Sequence, residues 1–346
     1  MTQTTMTRSR RKMQRVTMTD VARAAEVSPS TISLYLRKPA LVSPTMGERI
    51  ARVIDDLGYV PSLVAGGLAA ASSRVVSIIV PSVRNAFFAD TVSALQDILD
   101  ASGLQLMLGH TDYGLEREEA LVRTALSWSP AAIVLVGLEH SRATRQLLLA
   151  TLVPVFEIWE YSQVPIDTAV GFHHREVGIT AATHLIERGR NKLCFLGAMM
   201  DEDSRAQQRA AGFVRSIADR GLPEPPVLDQ PGSASTEAGA RLFTQALTAV
   251  PDLNGVACSN DLIALGVLFE CQRRGIEIPG QVAVIGFGNL AFSASCVPPL
   301  TTIRPPGDEI GRKVGQLIIA RQQDAAGTVV PRAFDLGYSL IVRQST

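Results

Sequence analysis

The 346-residue chain is short of the features that carry redox, metal or membrane chemistry. Its four cysteines, Cys194, Cys258, Cys271 and Cys296, form no C-x-x-C pair and no zinc-ligand spacing, so they read as scattered, reduced thiols of a cytosolic protein. No stretch approaches the roughly 20 consecutive apolar residues that a transmembrane helix requires. The N-terminus carries charge but no apolar h-region, so neither a membrane nor a secreted protein is expected. There is no H-E-x-x-H and no Ser-His-Asp arrangement. His173 and His174 are adjacent, and neighbours on a strand or helix point different ways, which makes a poor metal pair. His110 and His140 fall in loops with no obvious partners. All four are expected to be structural or surface residues, and neither a metal nor a catalytic centre is expected.

A cofactor site is also not expected, although one motif suggests it. Gly286-Phe287-Gly288-Asn289-Leu290-Ala291 follows a strand and matches G-x-G-x-x-A, with Asp308 some twenty residues on. A dinucleotide fingerprint must open a helix whose N-terminus receives the pyrophosphate. Here Phe292 to Pro299 follow, a loop with two prolines.

Net charge is absent overall, with 33 bases against 33 acids, but it is unevenly placed. Residues 1–16 hold Arg8, Arg10, Arg11, Lys12 and Arg15 and no acid, and residues 17–74 hold six bases and five acids. A basic head on an acidic body fits a polyanionic partner at one end. The first sixteen residues are expected to be a disordered arm.

What is present is organised around residues 17–60. Thr17, with Asp20 three residues on, can cap a first helix, close to a capping box. Ser28-Pro29 opens a second, because Ser is a good N-cap and Pro is tolerated at the first helical position. Ser43-Pro44 repeats the signal for a third, which Gly58 closes. Val21, Ala25, Val27, Ile32, Tyr35 and Leu36 can form one small core. With only Glu26-Val27 between them, the first two helices cannot pack parallel. The arrangement is helix-turn-helix, whose second helix enters the DNA major groove. Ser28, Ser30, Thr31 and Ser33 put short hydroxyl side chains at that helix's start, where they can bond phosphates or base edges. Residues 61–73 follow as a linker with a helix-like stretch from Ser62. Gly66 and Gly67 each cost it about 1 kcal/mol relative to Ala, so it should become helical only when a partner stabilises it.

From Val75 short apolar strands alternate strictly with amphipathic helices, which predicts parallel sheets with helices on both faces. One sheet of that length is not expected, so the body divides into two lobes near Gly171-Phe172, with residues 301–325 crossing back to the first. The expected organisation is an arm at 1–16, a head at 17–60, a hinge at 61–73 and a body at 74–346. The N-lobe would comprise 74–171 and 303–325, and the C-lobe 172–302 and 326–346. A ligand belongs in the cleft, outside the carboxyl ends of the strands.

Several stretches together resemble the LacI/GalR family of bacterial transcription regulators: D-V-A-R-A-A-E-V-S-P-S-T-I-S, L-G-Y-V-P, N-A-F-F-A after the first strand, A-C-S-N-D-L-I-A-L-G and P-P-L-T-T-I-R-P-P. The resemblance runs from about Thr17 onward. S-W-S-P-A-A-I-V-L, D-T-A-V-G-F and F-E-C-Q-R-R-G-I-E-I-P look closer still to its gluconate-utilisation repressor branch.

The resemblance implies an all-α helix-turn-helix head on a two-lobed, doubly wound, periplasmic-binding-protein-like α/β body. Pro29 and Ser30 would read bases, and Ser28, Thr31 and Ser33 would touch phosphates or bases. Thr19, Tyr59, Ser62 and Ala65 would complete the DNA-facing set, with Leu68 of the hinge wedged into the minor groove. Leu34 stands where most relatives carry a DNA-contacting arginine, so the operator sequence cannot be copied from them. In the cleft, Phe87, Phe88, Trp159, Glu160, Arg205, Arg209, Asn260 and Gly288 match effector-binding positions. Many sugar-binding members carry Asp where this chain has Gly288, and two nearby arginines without that carboxylate favour a sugar acid over a neutral sugar. The implied partners are operator DNA, a sugar-acid effector and further copies of the chain, as a homodimer or a tetramer, with no membrane. A sugar-binding transport component is the alternative with the same body, and it would carry a signal peptide and no DNA head.

Overall fold

The computed structural model describes residues 16–60, 74–83, 87–323 and 332–346. The arm up to residue 15 and the hinge, with Ser62, Ala65 and Leu68, lie outside the described residues. The chain forms two compact units, Met1–Ala71 and Ser72–Thr346.

The first unit holds helices α1 (Met18–Ala24), α2 (Pro29–Arg37) and α3 (Pro44–Leu57), with a short 3-10 turn at Pro39–Leu41. Thr17 and Asp20 form a reciprocal capping box, which satisfies two of the N–H groups left open at a helix start. Glu26 takes a left-handed conformation (φ 53°) to turn the chain into α2, where the Ser28 hydroxyl accepts from the Thr31 N–H at 3.1 Å. Ser43 makes no such side-chain cap, and Gly58 ends α3 in the left-handed conformation that glycine adopts without strain. Val21, Ala22, Ala25, Ile32, Ile50 and Tyr59 form the core, flanked by the half-buried Val27, Tyr35 and Leu36. Tyr59, one of the residues expected to face DNA, is 8% exposed and packs in the head core.

The second unit contains two six-stranded sheets. The first comprises β1 (Val75–Val80), β2 (Gln105–His110), β3 (Ala132–Val136), β4 (Val155–Ile158), β5 (Thr168–Gly171) and β11 (Arg332–Asp335), in the order β11-β5-β4-β3-β1-β2. The second comprises β6 (Leu193–Ala198), β7 (Val227–Gln230), β8 (Gly255–Cys258), β9 (Ala283–Phe287), β10 (Thr301–Arg304) and β12 (Ser339–Ile341), in the order β12-β10-β9-β8-β6-β7. Each sheet thus repeats a 2-1-3-4-5 doubly wound order, and its switch point lies where the first and third strands are neighbours. β3 and β8 are buried along their whole length, as parallel strands covered on both faces should be.

The connecting helices are α4 (Phe87–Asp100), α5 (Leu115–Ser127), α6 (Arg142–Ala150), α7 (His174–Glu187), α8 (Ser204–Ala218), α9 (Thr236–Ala249), α10 (Asp261–Arg274) and α11 (Gly307–Gln323). The chain crosses between the lobes at residues 172–173, 305–306 and 336–338. The lobe assignment is corrected at two places. Thr301–Arg304 pairs with β9 in the C-lobe, so that of residues 301–323 α11 alone packs in the N-lobe, against α4. Arg332–Asp335, expected in the C-lobe, pairs in parallel with Thr168–Gly171 in the N-lobe. A four-residue edge strand with half-exposed side chains has no buried apolar run to announce it, and its sheet is decided by pairing register.

Candidate functional site

The carboxyl ends of β1, β6 and β8 converge on a cavity between the lobes. The N-lobe contributes Ser82, Phe87, Phe88, Tyr113 and Trp159 to its wall, and the C-lobe contributes Asp203, Arg205, Arg209, Ser259, Asn260 and Phe287. Phe88 meets Trp159 edge-on at 5.0 Å between ring centres, and Trp159 holds a left-handed backbone (φ 71°) while its indole N–H donates to the Thr91 hydroxyl at 3.1 Å. These rings form the apolar side of the cavity.

The polar side rests on α8. Arg205 and Arg209 lie one turn apart, so both project from the same face of the helix. They are equally buried but differently neutralised. Arg205 Nη2 lies 3.1 Å from Asp203 Oδ1, and Nη1 lies 3.9 Å from Glu160 Oε2. Burial opposes its charge, but Asp203 and then Glu160 outweigh that and raise its pKa. Arg209 makes no ion pair among the described residues. Its Nη2 donates to the Ser259 carbonyl at 3.1 Å, its Nη1 to His174 Nδ1 at 2.9 Å, and its guanidinium lies 4.2 Å from the centre of the Phe287 ring. Its Nε is buried without a hydrogen-bond partner. Burial pushes its pKa down to about 10, so it remains a cation at neutral pH.

His174 is the residue between the arginine and the N-lobe. Burial, then Arg209 and Arg205, push its pKa well below the ordinary value, so the imidazole is neutral. Because Arg209 can only donate, Nδ1 is the acceptor and Nε2–H donates to the Trp159 carbonyl at 2.9 Å. The neighbouring His173 is exposed, with Nε2 3.7 Å from Asp335. Asn260 caps α10, with Oδ1 accepting from the Ile263 N–H at 3.1 Å, and its amide makes only a 3.4 Å contact to Ser259 Oγ.

Two expected cleft residues stand elsewhere. Glu160 is committed behind the wall: its carboxylate accepts from Gln208 Nε2 at 2.7 Å and from the Leu138 N–H at 3.2 Å. It does not line the cavity. Gly288 has φ +129°, and a Cβ built there would lie 2.0 Å from the Phe87 ring. The space an acidic side chain would need is filled by Phe87. His140 corrects the expectation of a partnerless loop residue, since it sits between Glu118 (2.9 Å) and Glu157 (3.5 Å). Tyr113, Asp203, His174 and Phe287 were not anticipated as wall residues. Only Asp203, two residues before Arg205, had a signal in its charge and spacing.

The G-x-G-x-x-A segment begins in the last two residues of β9 and leads into a 3-10 turn at Ala291–Ala294, so it opens no α-helix. Asp261 fixes this loop by accepting from the Leu290 N–H at 2.9 Å, Ser293 Oγ at 2.6 Å and Thr302 Oγ1 at 2.6 Å. Among the described residues, no group of three or more His, Cys, Asp or Glu could hold a metal, and no helix is long and apolar enough to cross a membrane.

In the head, the start of α2 carries a hydroxyl cluster. Ser28 Oγ lies 2.7 Å from Ser30 Oγ and 2.8 Å from Thr31 Oγ1. Ser28, Pro29 and Ser30 are exposed, as is Thr19 on α1, while Thr31, Ser33 and Leu34 are half-buried. The hydroxyls and the positive end of the helix present donors together, which suits a phosphate or a base edge.

Residues 17–62 match the family described as bacterial regulatory proteins, lacI family, and residues 182–346 match the periplasmic binding protein-like domain. The chain is 35% identical over 333 residues to the HTH-type transcriptional regulator GntR of Pseudomonas aeruginosa, covering 96% of each chain. It is 32% identical over 330 residues to the GntR of Escherichia coli, covering 95% of this chain and 98% of that one. The crystal structure of a LacI family transcriptional regulator from Silicibacter pomeroyi superposes with a TM-score of 0.89 at 33% identity, over 95% of this chain and 99% of that one.

Proposed function

The chain belongs to the LacI family of bacterial transcriptional regulators and is a DNA-binding regulator, and from that premise we propose that it represses carbohydrate-utilisation genes under the control of a sugar acid such as gluconate. It acts in the cytosol as a homodimer, whose two heads meet the halves of a pseudo-palindromic operator. The effector enters the cleft, and its single carboxylate meets Arg209.

One observation carries this reading. Of two buried arginines on one helix face, Arg205 is neutralised by Asp203 and Glu160, whereas Arg209 has an unpartnered Nε and no carboxylate. With His174 neutral, Arg209 is left as the buried cation without a carboxylate partner among the described residues, which suits a monoanion. A neutral sugar can accept from the Arg209 Nε–H through a hydroxyl, but it brings no counter-charge to the buried guanidinium and makes a weaker bond than a carboxylate. Tyr113 and the Asn260 amide, which line the cavity, would meet hydroxyls, and Phe87 and Trp159 the carbon face. The resemblance to the gluconate branch and the GntR relatives support the same ligand class.

The test has two parts. Gel-shift with genomic fragments should show sequence-specific retention that candidate sugar acids alter. Calorimetry should show D-gluconate binding well ahead of D-glucose. Equal affinities would remove the carboxylate assignment while leaving the DNA-binding function in place. The transport-component alternative lacks support, because residues 17–62 match a DNA-binding family.

A further inference from the structure

The geometry points to His174 as a positioning residue for the effector, one that sets the orientation of Arg209 and ties it to the N-lobe. The inference rests on the carboxylate reading of the cleft and deepens it.

Arg209 reaches the cavity on a long side chain, and its two terminal nitrogens are anchored on different groups. Ser259 takes Nη2 through a backbone carbonyl, and His174 takes Nη1 through Nδ1. A guanidinium is planar, so fixing both terminal nitrogens also fixes the direction of its Nε–H, the one group left without a partner. Remove the His174 acceptor and the plane can rotate about the remaining bond. His174 itself is held by its second nitrogen, whose proton goes to the Trp159 carbonyl.

The connection continues beyond Trp159. The indole N–H of Trp159 donates to Thr91 Oγ1 at 3.1 Å, and the Thr91 hydroxyl donates to the Gly307 carbonyl at 2.8 Å. His174 opens α7 just after the 172–173 crossing, and Gly307 opens α11 just after the 305–306 crossing. The relay Arg209–His174–Trp159–Thr91–Gly307 therefore runs from the C-lobe wall to two of the segments that join the lobes. Every donor in it has one acceptor, which a protonated imidazole would break by removing the lone pair that Arg209 needs.

Two substitutions separate the halves of this role. In His174→Asn the amide oxygen falls near the position of Nδ1 and can accept from Arg209, while the bond to Trp159 is lost. In His174→Gln the amide nitrogen reaches toward the position of Nε2 and can donate to Trp159, while the acceptor for Arg209 is lost. We expect calorimetry on the full chain with D-gluconate to show His174→Asn within about threefold of the parent and His174→Gln at least tenfold weaker. In the ligand-free protein, nitrogen-15 resonances of the Arg209 guanidinium should be sharp and slowly exchanging in the parent and in His174→Asn, and averaged in His174→Gln. Equal loss of affinity in both variants, tracking a common fall in melting temperature, would reduce His174 to a packing residue and overturn the inference. If the parent protein binds no D-gluconate, the effector reading fails on its own. The guanidinium resonances then decide the positioning role, and identical spectra in the three proteins would overturn it.

Discussion

The N-lobe and the cleft each bury a histidine, and the two surroundings are electrostatic opposites. His140 lies between the carboxylates of Glu118 and Glu157 in the N-lobe. Burial alone would lower its pKa, but Glu118 and Glu157 win and raise it to about 9. His174 lies beneath Arg209 and Arg205, and burial and those two cations act in the same direction to keep it neutral. The first cluster is matched in charge: His140 Nδ1 bonds Glu118 at 2.9 Å, Nε2 faces Glu157 at 3.5 Å without a hydrogen bond, and Glu157 also accepts from the Ile166 N–H at 2.6 Å. The second is open in charge, because the buried Arg209 has no carboxylate partner among the described residues and its Nε has no hydrogen-bond partner. Removing one member of a buried, charge-matched cluster is strongly destabilising, whereas a buried cation without a counter-charge costs stability and suits a place where a ligand completes it.

The largest test of that difference is to remove each histidine cluster's cation in turn. His140→Leu leaves two carboxylates facing each other with nothing between them, and removing one partner of a buried charged group costs about 3–5 kcal/mol. Chemical denaturation should show that loss, while effector affinity of the folded protein stays the same. Arg209→Met should do the reverse. It should weaken a sugar acid by about 2–5 kcal/mol, as truncating one member of a buried charge pair does, and leave stability unchanged or higher. A fall in stability for Arg209→Met as large as that for His140→Leu would mean that both clusters are structural.

pH sharpens the comparison because the two histidines give slopes of opposite sign. The His140 pKa is raised from 6.5 to about 9 in the fold, so its stabilisation is fully present below pH 6.5 and is lost as pH rises through 9. The whole effect is of the order of 3 kcal/mol. His174 has a lowered pKa in the fold, so the unfolded chain binds the extra proton first and the fold loses stability as pH falls below 6.5. The stability difference between parent and His140→Leu, measured from pH 6 to pH 10, should shrink across that range. A constant difference would show that His140 does not change charge in the window.

These two clusters also show what the sequence could and could not reveal. The helix starts at Thr17 and Ser28, the left-handed stop at Gly58 and the strand–helix alternation from Val75 were legible because they depend on neighbouring residues. Arg209 was legible as a cleft residue, and its contrast with Arg205 was not, since Asp203 and Glu160 reach Arg205 from a loop and from the other lobe. His140 read as a lone loop histidine because Glu118 and Glu157 lie about twenty residues away on either side and meet it only in the folded N-lobe. Gly288 looked like a missing acid, and the reason for it, the Phe87 ring, lies some two hundred residues earlier in the chain. Arg332–Asp335 and Val227–Gln230 were missed as strands because edge strands of four half-exposed residues carry no apolar run.

The smallest effect separates closed from open polar groups in the head. Ser28 and Ser30 are both exposed hydroxyls at the start of α2, 2.7 Å apart. Ser28 is committed to the fold, because its oxygen accepts from the Thr31 N–H and caps the helix. Ser30 bonds only to another hydroxyl, which water can replace. Ser28→Ala should therefore cost about 1 kcal/mol of stability, the usual worth of a serine N-cap. Ser30→Ala should leave stability within about 0.5 kcal/mol, the range of ordinary surface substitutions. If Ser30 faces DNA, its loss should instead weaken operator binding by roughly 0.5–1.5 kcal/mol, the net worth of one hydrogen bond. The salt dependence distinguishes its target. A hydroxyl releases no counterions, so the slope of affinity against salt should not change. Affinity for the operator should fall more than affinity for random duplex if the contact is to a base, and equally if it is to a phosphate. An unchanged operator affinity, with stability also unchanged, would place Ser30 away from DNA and leave Pro29, Thr31 and Ser33 as the residues through which α2 reads its site.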